Sequence, residues 1–330
     1  MREGLQRFTR THEFWLLIVL IVIGAGLTAA DSSFFTLQNL FDLLTSYAFY
    51  GILAAGLLVV LISGGIDISF TATASVAQYV ALTVAIQYGA TWFTLFLMAA
   101  LIGIACGAVN ALFIRTLRIP SIIVSIATLN IFYGLLVFVT SGRYIYQLPD
   151  WFAHGIFWFE FEDANQISYG INLQILCLTC AFLLTWILLN RTNIGRQIYA
   201  LGGNPDAAQR LGFHVFGLNV LVYCYMGFMA GIASLVQAQL AQSVAPTVLV
   251  GKELDVVAAV VLGGASLTGG VGTVFGTILG LALLAIIQNG LILLGVSSYW
   301  SPLFVGLVIL VAVSTTAWSQ NRKHRRMAAA

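Results

Sequence analysis

Few residues in this chain could do chemistry in an apolar medium, and the first of them share one short stretch. "LISGGIDISFTATASV", residues 61–76, ends an aliphatic run in Gly64 and Gly65, sets Asp67 just beyond them, and continues with Ser69, Thr71, Thr73 and Ser75. A carboxylate among hydroxyls could hold a proton, an ion or a sugar hydroxyl, or it could fix a turn between two helices. The hydroxyls recur at every second position, so on a helix they scatter over several faces instead of forming one stripe. The pattern therefore reads as a helix end and restart, with Asp67 reaching water or capping the next helix.

The other polar groups inside apolar segments are neutral: Gln78, Asn110, Asn130, Tyr133, Gln288 and Asn289. They suit helix–helix hydrogen bonds or a route for an uncharged, polyhydroxylated solute better than a route for an ion. Asp67 and Asp255 lie at segment ends and provide no buried proton relay. Enzyme signatures are missing. There is no G-x-x-x-x-G-K-[ST], and the two lysines, Lys252 and Lys323, follow no such loop. There is no H-E-x-x-H, and His12, His154, His214 and His324 are dispersed. Cys177 and Cys180 form a C-x-x-C without a second ligand pair, so they read, with Cys106 and Cys224, as packing residues. The expectation is a chain that is not an enzyme, holds no metal or cofactor, uses no catalytic residue and binds no nucleic acid.

The elements that must position these groups follow from composition. The 330 residues are 60% hydrophobic and 8% charged, against about 25% charged in soluble domains. Stretches of the ~20 apolar residues needed to span the bilayer recur along the chain. The expected fold is all-α, a polytopic transmembrane helical bundle with about ten spans: 14–30, 47–63, 70–88, 91–114, 120–140, 168–189, 215–240, 254–270, 272–294 and 300–318. Residues 1–13 and 319–330 are the tails. With the N-terminus in the cytoplasm, 12 of the 14 basic residues fall inside, leaving only Arg143 and Lys252 outside, as the positive-inside rule requires. The basic tail "NRKHRRM" then demands an even number of crossings, which counts the short, glycine-rich 254–270 as one. Both termini are expected in the cytoplasm.

Three segments are singled out. The outer loop 141–167 is aromatic and acidic, an interfacial belt with a solvated turn or a docking surface. The inner loop 190–214 contains "GGNPDAAQRLG". Asn204 can cap, Pro205 suits the first helical position, Asp206 favours the positive helix end and Gly212 closes a short helix. The stretch 251–280 is dense in glycine. "LGGASLTGG", with Gly263, Gly264, Gly269 and Gly270, pairs with "SGGIDIS" as two glycine-interrupted segments, one in each half, which is the sequence pointer to a transport pathway.

These motifs, "SGGIDIS", "ALGGNPDAAQRLGF" and "ELDVVAAVVLGGASLTGGVGTVFGTILG…NGLILLG", resemble the permease subunits of bacterial ABC importers for monosaccharides, of the ribose, xylose, galactose and autoinducer-2 type. The resemblance runs from about residue 45 to 318 with the motifs in the same order. It implies an inner-membrane permease that pairs with a second permease subunit, a cytoplasmic ABC ATPase that binds the ATP, and an external solute-binding protein. It also implies that Gly202, Gly203, Asn204, Pro205, Asp206, Ala207, Ala208, Arg210, Leu211 and Gly212 form the helix that couples to the ATPase. Candidates for the pathway or its hinges are Gly64, Gly65, Asp67, Ser69, Gln78, Asn130, Gly263, Gly264, Gly269, Gly270 and Asn289. Thr71 and Ala72 stand where the family pattern G-G-I-D-L-S-V-G-S has glycine and serine. A β-branched residue there implies a looser backbone approach at that point. A permease for nucleosides or branched-chain amino acids, or an ion-coupled carrier acting alone, would be the competing assignments.

Overall fold

The computed structural model describes residues 12–154, 156–162 and 168–300, with 302–303, 306–307 and 310 beyond them. Most of the expected tails and the expected span 300–318 lie outside the described residues. The helices are α1 (His12–Ala30), α2 (Leu37–Ser46), α3 (Ala48–Ile62), α4 (Phe70–Tyr88), α5 (Trp92–Leu117), α6 (Ser121–Thr140), the single turn α7 (Asp150–Ala153), α8 (Leu173–Arg191), α9 (Asn193–Gly203), α10 (Pro205–Arg210), α11 (Val215–Ala241), α12 (Glu253–Leu262) and α13 (Val274–Leu293).

Among the described residues six helices, α1, α5, α6, α8, α11 and α13, are long and apolar enough to cross a membrane, and α2 with α3 makes a seventh span bent by 53°. Their starts are set by short polar caps. Thr36, Thr91, Asn172 and Thr273 each accept a backbone N–H of the first turn of α2, α5, α8 and α13, which satisfies a donor that lipid could not.

Two ends of the bundle can be told apart. Arg115, Arg118, Arg191, Arg196 and Arg210 gather with α9 and α10 at one end, where Arg115 stacks over the Phe216 ring at 5.3 Å. At the opposite end, strands β1 (Phe157–Glu162) and β2 (Ser168–Asn172) pair antiparallel, with Phe159 facing Ile171 and Phe161 facing Tyr169. Ile145 bridges Val244 beside this hairpin. The loop expected to be a belt and solvated turn is thus partly strand. The alternation Phe157, Phe159, Phe161 carries period 2, which the aromatic density of the loop concealed.

Two span boundaries are corrected. Residues 168–172, expected within a helix, are β2. The stretch 254–270 is not one crossing helix: α12 has ten residues, about 15 Å at 1.5 Å per residue, half of a ~30 Å hydrocarbon layer. The chain still runs from Val244 at the hairpin end to Gly269 at the basic end, the remainder as turns.

The core is centred on α3, whose residues from Ile52 to Ile62 are all buried. Around it, α5 and α11 cross with backbones in contact. A Cβ on Gly103 would overlap the Gly227 carbonyl, a Cβ on Gly227 would overlap that of Gly103, and Gly107 meets the Tyr223 carbonyl in the same way. Small residues let membrane helices approach this closely, where dispersion and backbone contacts replace the hydrophobic effect as the driving force. Gly227→Val is expected to separate the pair at a cost of about 1–3 kcal/mol or more. Thermal unfolding in detergent should show a lowered Tm. Gly134→Ala, which meets nothing within 4 Å, should leave Tm near that of the parent protein.

Candidate functional site

The glycines picked out in three separate motifs meet at one place. The end of α3, the end of α9 and the loop after α12 converge on Gly202. A Cβ there would overlap the Ile62 carbonyl oxygen and stand 2.6 Å from Gly270 N. A Cβ on Gly269 would stand 2.7 Å from both the Gly64 Cα and the Gly202 oxygen, and one on Gly270 would stand 2.9 Å from the Gly203 Cα. Gly64, Gly269 and Gly270 also hold positive φ, at 85°, 90° and 74°, a region that side chains disfavour. The contact is secured by hydrogen bonds. Gly270 N–H donates to the Ile62 carbonyl at 2.9 Å. The Tyr199 hydroxyl, on α9, donates to the Gly272 carbonyl at 2.7 Å. Apart from Tyr199, side chains have almost no part in the junction, which is a contact of backbone with backbone.

The segment that reaches the junction from outside the core is α9–α10. Thr192 caps α9, accepting from Gly195 N–H at 3.0 Å, and Ile198 and Leu201 are buried beneath it. Within the inner loop 190–214 only the short helix after Gly203 was expected; α9 is an additional helix whose buried face has few residues. The local caps expected for α10 are present, but Gly202 and Gly203, expected with it, end α9, and the helix stops at Arg210. Asn204 Oδ1 accepts from Ala207 N–H at 2.9 Å, and Pro205 opens the helix. Gly212 takes φ 83°, Gly212 N–H donates to the Gln209 carbonyl and Phe213 N–H to that of Ala208, the paired bonds of a glycine-closed helix end. Ala208 is buried against the bundle, whereas Asp206, Ala207 and Arg210 are exposed and Leu211 is 72% exposed.

Beyond Gly65 the chain turns back into the bundle. Asp67 is 2% exposed, which corrects the expectation that it reaches water. Nor does it cap α4 directly: the cap position is Ser69, which has no side-chain cap bond, and Asp67 holds that residue, its Oδ1 accepting from Ser69 N–H at 2.8 Å and from Ser69 Oγ at 2.7 Å. Asn110 on α5 donates to Ser69 Oγ at 2.7 Å, and Ser121 at the start of α6 accepts from Ile66 N–H at 2.9 Å. Tyr223 of α11, 2% exposed, packs its hydroxyl against Gly65. The restart of α4 is thus tied to α5 and α6 by polar groups that sequence spacing does not connect.

Thr71, where a looser approach was expected, is fully buried, and its hydroxyl is hydrogen-bonded to the Glu253 carboxylate. That carboxylate also accepts from Gly251 N–H at 2.9 Å. The departure from the family pattern therefore joins the first turn of α4 to the first turn of α12. Ala72 is buried beside it.

Other sequence candidates lie apart from the junction. Gln78 is buried along α4. Asn130 is exposed on α6 and donates to its own helix, to the Ile126 carbonyl at 2.8 Å. Asn289 exchanges two hydrogen bonds with Asn39, at 3.0 and 3.3 Å, joining α13 to α2. Gly263 lets α12 close on α13, where a Cβ would overlap the Gly276 oxygen, and Gly264 (φ 91°) lies against the His12 ring.

Residues 39–313 match the family described as branched-chain amino acid transport system / permease component. The chain belongs to this permease family. The ribose import permease protein of Escherichia coli (strain K12) is 33% identical over 325 residues, which cover 94% of this chain and 96% of that protein. The ribose import permease protein of Haemophilus influenzae is 32% identical over 296 residues, 90% of each chain. The autoinducer 2 import system permease protein of Photorhabdus luminescens is 30% identical over 311 residues, covering 94% of this chain and 91% of that one. No solved structure matches. The protein is a multi-pass inner-membrane permease.

Substitutions at Asp67 should separate its hold on Ser69 from solute chemistry. Asp67→Asn keeps an acceptor for Ser69 and is expected to retain solute preference with a modest fall in yield. Asp67→Ala removes both bonds to Ser69, a buried loss of about 1–3 kcal/mol, and should lower the yield of monodisperse protein further. A changed preference in Asp67→Asn uptake assays would place the carboxylate on the solute route.

Proposed function

We propose that this permease forms the translocation pathway of an ABC importer for a small sugar or related polyol. An external binding protein delivers the solute, and a separate cytoplasmic ATPase drives the cycle. The basic end faces the cytoplasm, which satisfies the positive-inside rule, and the hairpin end faces outward. The pathway runs at the interface with a second permease subunit.

The observation that carries this reading is the junction at Gly202. α10 projects from the cytoplasmic end with Leu211 and the charges of Asp206 and Arg210 exposed, which is the surface a partner would grip. α9 joins it to a backbone contact with both glycine-interrupted segments. Movement of the ATPase would therefore reach the end of α3 and the loop after α12 together, and through them the polar restart of α4 and the Thr71–Glu253 bond. Rocking of these elements would open the pathway alternately to the two sides. The sugar-type assignment is favoured over other solutes because relatives named for ribose and autoinducer 2 align over about nine-tenths of the chain or more.

Reversing both charges, Asp206→Lys with Arg210→Glu, should leave membrane insertion intact. It should lower binding-protein-stimulated ATP hydrolysis about tenfold, as expected for loss of contacts at an interface centre. Leu211→Asp should act in the same direction. Normal stimulated hydrolysis in both variants would remove the coupling role from α10. Uptake driven by an ion gradient in vesicles without any ATPase would overturn the importer assignment.

A further inference from the structure

At the hairpin end, α2, the β1–β2 hairpin and the C-terminal turn of α11 enclose a cavity of about 340 Å³. It lies at the end of the bundle opposite the α9–α10 segment, so it is separate from the glycine junction. Its size falls at the small end of the ~300–1,000 Å³ range of small-molecule sites. Its polar wall is made of Asp42, Thr45, Asn172, Gln174, Gln239 and Gln242. Five of these six are neutral, and the four amides can each donate and accept. Phe41, Phe157 and Tyr169 supply the apolar part of the wall, with the Phe41 and Tyr169 rings 5.9 Å apart.

The wall is organised before any ligand arrives. Gln174, 4% exposed, donates to Gln239, 6% exposed. Asn172 Nδ2 donates to Thr45 Oγ1 at 2.8 Å, while its Oδ1 caps α8 by accepting from Ile175 N–H at 3.0 Å. Gln242 Nε2 donates to the Ala153 carbonyl at 3.0 Å. Buried amides fixed in this way hold their remaining lone pairs and N–H groups in set directions. A single carboxylate, Asp42, stands exposed among them.

We propose that this cavity holds one polyhydroxylated solute of monosaccharide size at the outer mouth of the pathway. The chemistry of the wall selects that class. Vicinal hydroxyls need donors and acceptors interleaved, which amides and one carboxylate supply, and the C–H faces of a sugar ring pack on aromatic faces. An inorganic ion would find too little charge and a purely apolar solute too many amides. The cavity also sits where a bound solute acts on the moving parts. Thr45 is in the last turn of α2, next to the 53° bend before α3, and α3 ends at the Ile62 carbonyl in the glycine junction. The proposal rests on the sugar-importer reading and adds a place and a set of contacts to it.

D-ribose is a suitable probe, with the permease reconstituted in lipid nanodiscs together with its ATPase. Saturation-transfer NMR should show magnetisation passing to ribose protons in the parent protein. Asp42→Asn with Gln242→Ala, both at exposed positions, should reduce that transfer. The same pair should raise the half-saturating concentration of loaded binding protein in uptake by about tenfold, the size expected for loss of a charge-assisted hydrogen bond. Tyr169→Leu, which removes a ring face, should do likewise. Unaltered transfer and uptake in these variants would overturn the site while leaving the importer assignment standing. So would a loss of affinity for the empty binding protein that accounts for the whole uptake defect, since it would make the wall a protein-docking surface. D-galactose, D-xylose and mannitol extend the probe set, and absence of transfer to all four from the parent protein also overturns the site. Absence of binding-protein-stimulated ATP hydrolysis in the parent complex would count against the importer reading itself.

Discussion

The structure depends on a contact from which side chains are excluded. Ile62, Gly64, Gly202, Gly203, Gly269 and Gly270 come from three distant parts of the chain, and their backbones touch because nothing protrudes at the glycines. Any Cβ at Gly202 would push α9 away from α3 and break the bond from Gly270 N–H to the Ile62 carbonyl. The positions of α9 and α10, of the polar restart before α4 and of the loop after α12 all follow from that approach. A side-chain interface could adapt by changing rotamers. A backbone interface moves as a unit or separates, which suits a part that must convey displacement from one helix to another.

A second constraint works deeper in the bundle. Asp67, Ser69, Asn110, Thr71 and Glu253 are nearly or fully buried and bonded chiefly to one another and to backbone. Polar groups removed from water are costly when unpaired, so the Asn110–Ser69 and Thr71–Glu253 bonds fix one helix against another. Asp67 with its neighbours anchors α4 to α5 and α6, and Thr71 anchors it to α12.

Much of this was legible in the sequence where local chemistry decides structure. α10 was fixed by Asn204, Pro205 and Gly212, each of which acts within four residues of its own position. The long spans followed from apolar length alone. What escaped the sequence was non-local. The convergence of three glycine motifs is a property of the packed bundle, and no single motif names its partners. Thr71 looked like a loosened position because its partner, Glu253, is 182 residues away. The hairpin escaped because Phe157, Phe159 and Phe161 satisfy a membrane belt as well as a strand, and α9 escaped because only a few of its residues face the bundle. For the cavity at the hairpin end, Gln174 and Gln239 gave no signal, since isolated amides in apolar runs most often serve helix packing.

The burial of α4 has a consequence for how the protein is made. α4 and α1 each have 19 residues, yet α4, with its threonines, serines and Gln78, is not among the helices apolar enough to cross a membrane by themselves. α1 keeps most of its surface open, whereas α4 is covered along most of its length by α5, α6 and α11. Its hydroxyls are tolerable because protein, not acyl chains, surrounds them. A helix of that kind has little tendency to partition into the bilayer as it leaves the ribosome. Its retention there depends on neighbours, and all three, α5, α6 and α11, are synthesised after it. Insertion and tertiary packing of this subunit are therefore one coupled process at α4, and damage at the Gly103–Gly227 crossing would reach membrane topology as well as packing.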